Sequence, residues 1–492
     1  MSRYLAFDLG AESGRATIGS LSDGRMTLEV IHRFPNGPVQ LGETLYWDEP
    51  GLFREIKAGL AACAACGGEV DSIGIDSWGV DYGLLDRNGE LLGNPVHYRD
   101  SRTTGMMARV FSRLAREEIY RCTGIQFMQL NTLYQLFSAV ERNRPLVEQA
   151  ACMLCMADLQ NYFLCGEKAQ EYTLATTTQM YDANRGAWAF EMLQRLGIPT
   201  HFLPRIVQPG TVVGRLRENL ARESGLKSAA VIAPAAHDTA AAVAAVPAVG
   251  DDWLYLSSGT WSLLGVELPK PLITPESCEM NFTNEGGVNG SIRFLRNIMG
   301  LWLVQECRRT WEREGNRHDY AELTRLAEQA RPFAAVVDPA HGDFLQPGDM
   351  PARIADFCRR TGQTPPASKG EIVRIALEGL ALAYRQTVEA IAKLTRRTYR
   401  VLHIVGGGTQ NRLLNRLAAD ATGLLVKTGP VEATALGNCL VQAMALGHIR
   451  NLAEVREVVR RSVDIETYEP CKERGVWEEA YDKFKRICAA GS

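Results

Sequence analysis

Apolar positions near the N-terminus fall in short strand-like runs separated by glycine turns, and farther on they fall in stripes of helical spacing. Tyr4-Leu5-Ala6-Phe7-Asp8-Leu9 reads as an apolar strand bearing a carboxylate near its end, and after a sharp turn Ala16-Thr17-Ile18 runs outward as a second strand. Ser22-Asp23-Gly24 is a turn and Met26-Thr27-Leu28-Glu29-Val30 alternates as a third strand, giving a meander. A helix starts at Trp47-Asp48-Glu49-Pro50, with Asp48 as its cap and Leu52, Ile56 and Leu60 as its apolar stripe. Ser72 to Asp81 returns as strand running into loop, which completes an α/β unit.

From about residue 104 to 220 the periodicity is mixed and carries little. Val231-Ile232-Ala233-Pro234-Ala235-Ala236-His237-Asp238-Thr239-Ala240 is then an apolar strand that breaks into polar residues and an alanine-rich helix. Pro247 and Gly250 mark a boundary, so the expected division is 1–247 and 248–492. Just beyond it, Trp253-Leu254-Tyr255-Leu256-Ser257-Ser258-Gly259-Thr260-Trp261-Ser262-Leu263-Leu264-Gly265-Val266 repeats the opening pattern. Aligning Gly10 with Gly259 sets Asp8 against Ser257 and Ser13 against Ser262, the mark of an internal duplication. Val401 to Val405 is a strand that enters the Gly406-Gly407-Gly408 turn and a helix over Leu413 to Ala419, and Gly429 to Gly437 leads into another helix.

Three of these places carry chemistry. Gly10 and Gly14 permit backbone angles that side chains forbid, so the Gly10 to Arg15 turn can direct N–H groups at an anion, or it can be an ordinary glycine hairpin. In the first case Asp8 would repel phosphate directly and requires a bridging divalent cation, Mg2+ with a nucleotide being the usual one. Trp78-Gly79-Val80-Asp81 and Tyr98-Arg99-Asp100-Ser101-Arg102 set aromatic, carboxylate and guanidinium groups at strand ends, which suits a hydroxyl-rich ligand or, equally, ion pairs around a packed tryptophan. Asp238, at a strand-to-helix junction, is placed either to cap the helix or to act as an oriented base. The glycine turn after Val405 differs from a dinucleotide fingerprint because Asn411 stands at the last glycine, and no Gly-x-x-x-x-Gly-Lys-Ser/Thr occurs.

Composition removes other classes. The 492 residues carry a net charge of -3 with basic residues dispersed, which argues against nucleic acid or a polybasic membrane contact. No apolar run is long enough for a bilayer and Asp8 interrupts any leader-like core, so a cytoplasmic enzyme of small molecules is expected. The Cys63/Cys66 and Cys152/Cys155 pairs lie among apolar residues without histidines, the setting of buried free thiols.

Together, Asp8-x-Gly10-x-x-Ser13-x-Arg15, His237-Asp238-Thr239, Ser258-Gly259-Thr260-Trp261-Ser262 and Gly406-Gly407-Gly408 resemble the FGGY carbohydrate kinases of the actin-like ATPase superfamily, over essentially the whole chain. Ser72 to Asp81, Tyr98 to Arg102, Asn297 to Trp302 and Gly429 to Thr434 look most like the branch of that family acting on L-rhamnulose. The resemblance implies an α/β fold of two ribonuclease-H-like domains flanking a catalytic cleft, with ATP and Mg2+ as cofactors and a ketose as partner. It implies phosphorylation of the C1 hydroxyl, with Asp238 as base. Trp78, Gly79, Asp81, His237, Thr239 and Asn297 would face the sugar. Ala11, Glu12, Ser13, Gly14, Arg15, Thr260, Gln305, Gly406, Gly407 and Gly408 would bind the nucleotide, and Asp8 the metal through water. A monomer or small homo-oligomer is expected. L-fuculose or D-xylulose is the alternative substrate, and an actin-like chaperone or filament protein the alternative class. Ala157 to Gly166 departs from the family's pattern, which leaves the packing of that helix open.

Overall fold

A computed structural model of the chain describes residues 1–67 and 69–490. The chain divides into two compact units: Met1–Ala245 with Glu267–Phe294 and Ala433–Ser462, and Val246–Val266 with Leu295–Glu432 and the chain from Val463 onward. Among the described residues no helix is long and apolar enough to cross a membrane.

The first unit is built on a sheet in the order Thr211–Arg215, Ala230–Ala233, Ser72–Ser77, Ser2–Leu9, Ser13–Ser22, Arg25–Pro35. Ser2–Leu9 pairs antiparallel with the meander strand that follows it and parallel with Ser72–Ser77. Tyr4 to Phe7 are fully buried, as expected of an apolar run covered on both faces. Glu49–Ala65 covers one face: Asp48 caps it by accepting from Gly51 N at 3.1 Å, and Leu52, Ile56 and Leu60 are buried. Ala433–Ala445 lies against Asp238–Ala244, so close that a Cβ on Gly437 would stand 1.8 Å from the Ala241 carbonyl. Its Gln442 donates to Leu5 O at 3.2 Å and its Asn438 to Gly74 O at 3.3 Å, which fixes the helix on the two central strands.

In the second unit the same topology recurs. Trp253–Ser258 pairs antiparallel with Trp261–Leu268 and parallel with Val401–Val405; the latter pairs parallel with Leu425–Thr428, which pairs antiparallel with Glu466–Tyr468. The first unit has this succession of parallel and antiparallel neighbours outward from Ser2–Leu9.

Some expectations need correction. The third strand runs over Arg25–Pro35, and a register shift between Ala16 and Thr17 breaks its alternation, leaving Val30 exposed. The hairpins align differently past the turn. Gly10 N donates to Ser13 O, whereas Gly259 N donates to Trp261 O, so the second turn is one residue shorter and Ser13 matches Trp261 rather than Ser262. Cys63, Cys152 and Cys155 are buried free thiols, but Cys66 is exposed, beyond the last turn of its helix. The mixed periodicity before residue 220 has a cause: Thr132 to Ser138, which open the helix Thr132–Gln149, are all buried, so there is no polar face to show a period. The departing segment forms the helix Met156–Cys165, whose buried Gln160 donates to Glu49 and whose buried Asp158 accepts from Gln170 at 2.5 Å.

Candidate active site

Three carboxylates gather at the ends of the first unit's central strands. Parallel pairing sets Asp8 beside Asp76, and antiparallel pairing sets Arg15 opposite Asp8, with Arg15 Nε 3.3 Å from Asp8 Oδ2. Asp76 is fully buried and accepts from Asn438 at 2.6 Å, while its Oδ1 has no partner. Burial, then Asp8 and Asp238, raise its carboxyl well above the ordinary range.

Asp238 enters from the Ala230–Ala233 strand, through a junction stitched to the neighbouring strand by Ser77 N donating to Ala236 O at 2.9 Å. The cap position of the helix is His237, not Asp238, and His237 makes no side-chain capping bond. Asp238 is the first helical residue; its Oδ1 accepts from Thr239 N at 2.5 Å and Thr239 Oγ1 at 3.1 Å. Burial and the Asp8 carboxylate push it up to about 7. A third of its side chain is open, so this carboxylate is both pinned and reachable.

His237 is buried beside it, with Nε2 3.3 Å from Asp238 Oδ1. Its Nδ1 is met at 3.0 Å by Nη2 of Arg293, which is wholly buried and pairs with Glu285 at 3.1 Å. Burial and the guanidinium hold the imidazole well below its ordinary pKa, so it is neutral. Glu171 and Thr173 hold the backbone of the same junction: Glu171 accepts from Ala236 N at 3.3 Å, and Thr173 Oγ1 from His237 N at 3.0 Å. Sequence reasoning missed Asp76, Arg293, Glu285 and Asn438 as parts of this site. Only Asp76 gave a signal, as an acid directly after the Ile73-Gly74-Ile75 run.

The aromatic loop is held by several side-chain hydrogen bonds. Val80, a β-branched residue at φ 69, is an outlier held by Thr132, whose hydroxyl donates to its carbonyl at 2.7 Å. Trp78 and Trp47 pack with ring centroids 4.1 Å apart and planes tilted by 34°, and both indoles donate to Asp81 Oδ2, at 3.0 and 2.7 Å. Gln135 donates to Oδ1 at 2.9 Å. Asp81 is fully buried and both its oxygens are occupied, so it anchors the aromatic wall. Gly79 faces Thr177, with 3.1 Å available to a Cβ.

The glycines of the first turn act by close approach rather than unusual angles. Neither Gly10 nor Gly14 has a positive φ. A Cβ on Gly14 would stand 2.2 Å from the Phe34 ring, and one on Gly10 2.9 Å from Ser13 O. In this turn Glu12 is exposed and Ala11 and Ser13 are half-buried, and Asn36 N anchors it by donating to Glu12 O at 3.0 Å.

The second unit assembles its own turns. Gly406 at φ 87 and Gly408 lie on Ser258, where a Gly408 Cβ would be 2.0 Å from the Ser258 hydroxyl. The Gly259 to Trp261 turn is braced by Gly300 N on Thr260 O at 3.1 Å and Leu301 N on Gly259 O at 3.0 Å. Thr260 and Gly406, Gly407 and Gly408 are thus brought together. Gln305, one turn into the helix Trp302–Arg313, keeps a buried Oε1 without a partner. Asn411 caps the helix Arg412–Thr422 by accepting from Leu414 N at 2.9 Å, which explains its place after the glycines. Asn297 lies in the strand Ile292–Met299 and lines a cavity of about 350 Å³ with Arg296, Asp338 and Lys485.

Residues 4–245 match the N-terminal domain of the FGGY family of carbohydrate kinases, and 254–446 its C-terminal domain. The rhamnulokinase of Bacteroides thetaiotaomicron is 44% identical over 98% of both chains. That of Oceanobacillus iheyensis is 40% identical over 94% of this chain and 97% of its own. A ligand-bound xylulose kinase structure from Lactobacillus acidophilus superposes with a TM-score of 0.83 at 17% identity, over 100% of this chain and 98% of that one.

Proposed function

The chain belongs to the FGGY family of carbohydrate kinases, enzymes that move a phosphoryl group from ATP to a sugar, and we propose that its sugar is L-rhamnulose, phosphorylated at the C1 hydroxyl. The observation that carries the chemistry is Asp238: a carboxylate pinned through one oxygen, pushed up to about 7, and still open to a ligand. Those are the properties of a base that takes a hydroxyl proton near neutral pH. Phosphoryl transfer otherwise asks mainly for positioning and for offset of charge.

His237 and Thr239 flank the base and, with Gly79 and the Trp78 face, hold the ketose; Asn297 contributes a sugar contact. Asp81 acts here by fixing Trp78. Ala11 to Arg15, Thr260, Gln305 and Gly406 to Gly408 are the nucleotide contacts in this reading.

Mg2+ fits the carboxylate end of the first sheet, where Asp76 keeps an unpartnered buried oxygen beside Asp8. Among the described residues no group of three or more His, Cys, Asp and Glu forms a cage, and Mg2+ needs none, since one or two carboxylates, phosphates and water suffice. Asp8 would hold it through water. When bound, the cation would offset charge on the phosphates, and Arg15 Nε stands 3.3 Å from Asp8 Oδ2.

The test is ADP release with purified enzyme and a panel of ketoses. L-Rhamnulose is expected to give the highest kcat/KM, and preference for L-fuculose or D-xylulose would overturn the substrate. In the same assay Asp238→Asn should remain folded and bind sugar while kcat falls by about 10²- to 10⁴-fold. Near-normal turnover would return Asp238 to a structural role.

A further inference from the structure

His237 carries a contact that proton transfer to Asp238 does not itself use. Its Nδ1 lies 3.0 Å from Arg293 Nη2 and 3.5 Å from Glu285 Oε2. A guanidinium nitrogen only donates, so at the shorter contact Nδ1 must be the acceptor. The single proton of the neutral ring is therefore on Nε2, which faces Asp238 Oδ1 at 3.3 Å.

Arg293 has no freedom to do otherwise. It is wholly buried, its Nε donates to Gly286 O at 2.8 Å, and its Nη2 is shared between His237 and Glu285. Asp238 Oδ1 accepts two hydrogen bonds, from Thr239 N and Thr239 Oγ1, and His237 Nε2 lies 3.3 Å from the same oxygen.

We propose that Arg293 is a positioning residue that locks His237 as its Nε2–H tautomer, so that a proton rather than a lone pair faces Asp238 Oδ1, the carboxylate keeps its Thr239-bound orientation, and Oδ2 is the oxygen that takes the sugar proton. This rests on Asp238 being the base. In the step, the hydroxyl O–H bond breaks, its proton goes to Oδ2, and the freed oxygen pair forms the bond to the γ-phosphorus as the bond to the β-bridging oxygen breaks and ADP leaves with that electron pair. His237 keeps its proton throughout. Were the tautomer reversed, Nε2 would present a lone pair to Oδ1, and the carboxylate would turn away from the repulsion.

The test pairs kinetics with ¹⁵N NMR of histidine-labelled enzyme, the His237 signals assigned by their loss in His237→Gln. Native enzyme should show a pyridine-type Nδ1 and a pyrrole-type Nε2–H. Arg293→Met combined with Glu285→Gln, which avoids an unpaired buried carboxylate, should lose that pattern and reduce kcat about 100-fold, the scale of a misplaced reacting group, with sugar KM changed less. Arg293→Lys retains a donor for Nδ1 and should restore the pattern and most of kcat; it also serves if the double variant fails to fold. A native Nδ1–H ring, or an unchanged kcat in the double variant while Asp238→Asn is inactive, overturns the proposal and leaves the base in place. Normal turnover in Asp238→Asn overturns the base itself.

Discussion

The hairpins at Gly10 and Gly259 are the same device with different chemistry at the tip. Each closes by the glycine N–H on a carbonyl just past the turn, and each leading strand has a parallel neighbour on its other side. Two residues before the glycine, however, the first hairpin has Asp8, which the parallel strand meets with Asp76. The second has Ser257, met by Val405. Around the first turn a ring and a guanidinium close in, Phe34 on Gly14 and Arg15 on Asp8. Beside the second lies bare glycine backbone on a serine. A duplicated frame therefore specifies where the turn is, and one substitution per strand end decides whether its tip carries paired carboxylates or a neutral hydroxyl beside glycine backbone.

The most direct way to break that comparison is to make the tips alike. Asp8→Asn should raise the Mg2+ concentration for half-maximal rate by about 10- to 100-fold, the scale on which groups around a metal act. Ser257→Ala should change it less than about threefold, since a hydroxyl removed from a partly buried strand end takes no charge with it. Titration of initial rate with Mg2+ at saturating ATP measures both. Equal shifts would mean that the units do not divide the work in this way.

The repeat was legible because both hairpins are apolar runs interrupted by glycine, a pattern that burial imposes on any central strand. The one-residue difference in turn length was not, because Ser13 and Ser262 align by identity whereas hydrogen bonding pairs Ser13 with Trp261. Asp238 is open in the sequence between helix cap and oriented base, and that it does not cap the helix is a matter of backbone position. Arg293 and Asn438 reach the site from distant segments, Asn438 on a helix late in the chain, and no local pattern marks them. Of the two indoles that donate to Asp81, Trp78 is its sequence neighbour, but Trp47 is remote and no local pattern brings it there.

A second comparison sharpens what the glycines are for. A Cβ on Gly14 meets the Phe34 ring at 2.2 Å, whereas on Gly259 the nearest atom is Trp261 O at 3.9 Å. Gly14→Ala should destabilise by about 1–3 kcal/mol through overpacking, and Gly259→Ala by less than about 0.5 kcal/mol. Denaturant midpoints measure both. Phe34→Leu added to Gly14→Ala should recover part of the loss, because the residues are in contact and their effects do not add. Parity between the two single variants would show that Phe34 swings aside freely.

The units should also differ in how pH acts on them, by the smallest of these effects. In the first, burial pushes Glu49 up to about 8, Glu171 to about 7 and Asp81 to about 6. The second has the raised Glu378, which is steadied by Arg374 at 2.7 Å. A carboxyl whose folded pKa lies above its unfolded one keeps a proton that the unfolded chain releases. Its stabilisation is complete below the unfolded value and is lost as pH climbs through the folded one. The first unit should therefore lose stability between about pH 6 and pH 8, by up to about 1.4 kcal/mol per pH unit for each group titrating. Hydrogen exchange, corrected for its intrinsic pH dependence, should show protection falling in the first unit and nearly constant in the second. Glu49→Gln keeps a partner for Gln160 and should flatten the upper part of the slope. Equal losses in both units, or an unaltered slope in Glu49→Gln, would place the buried protons elsewhere.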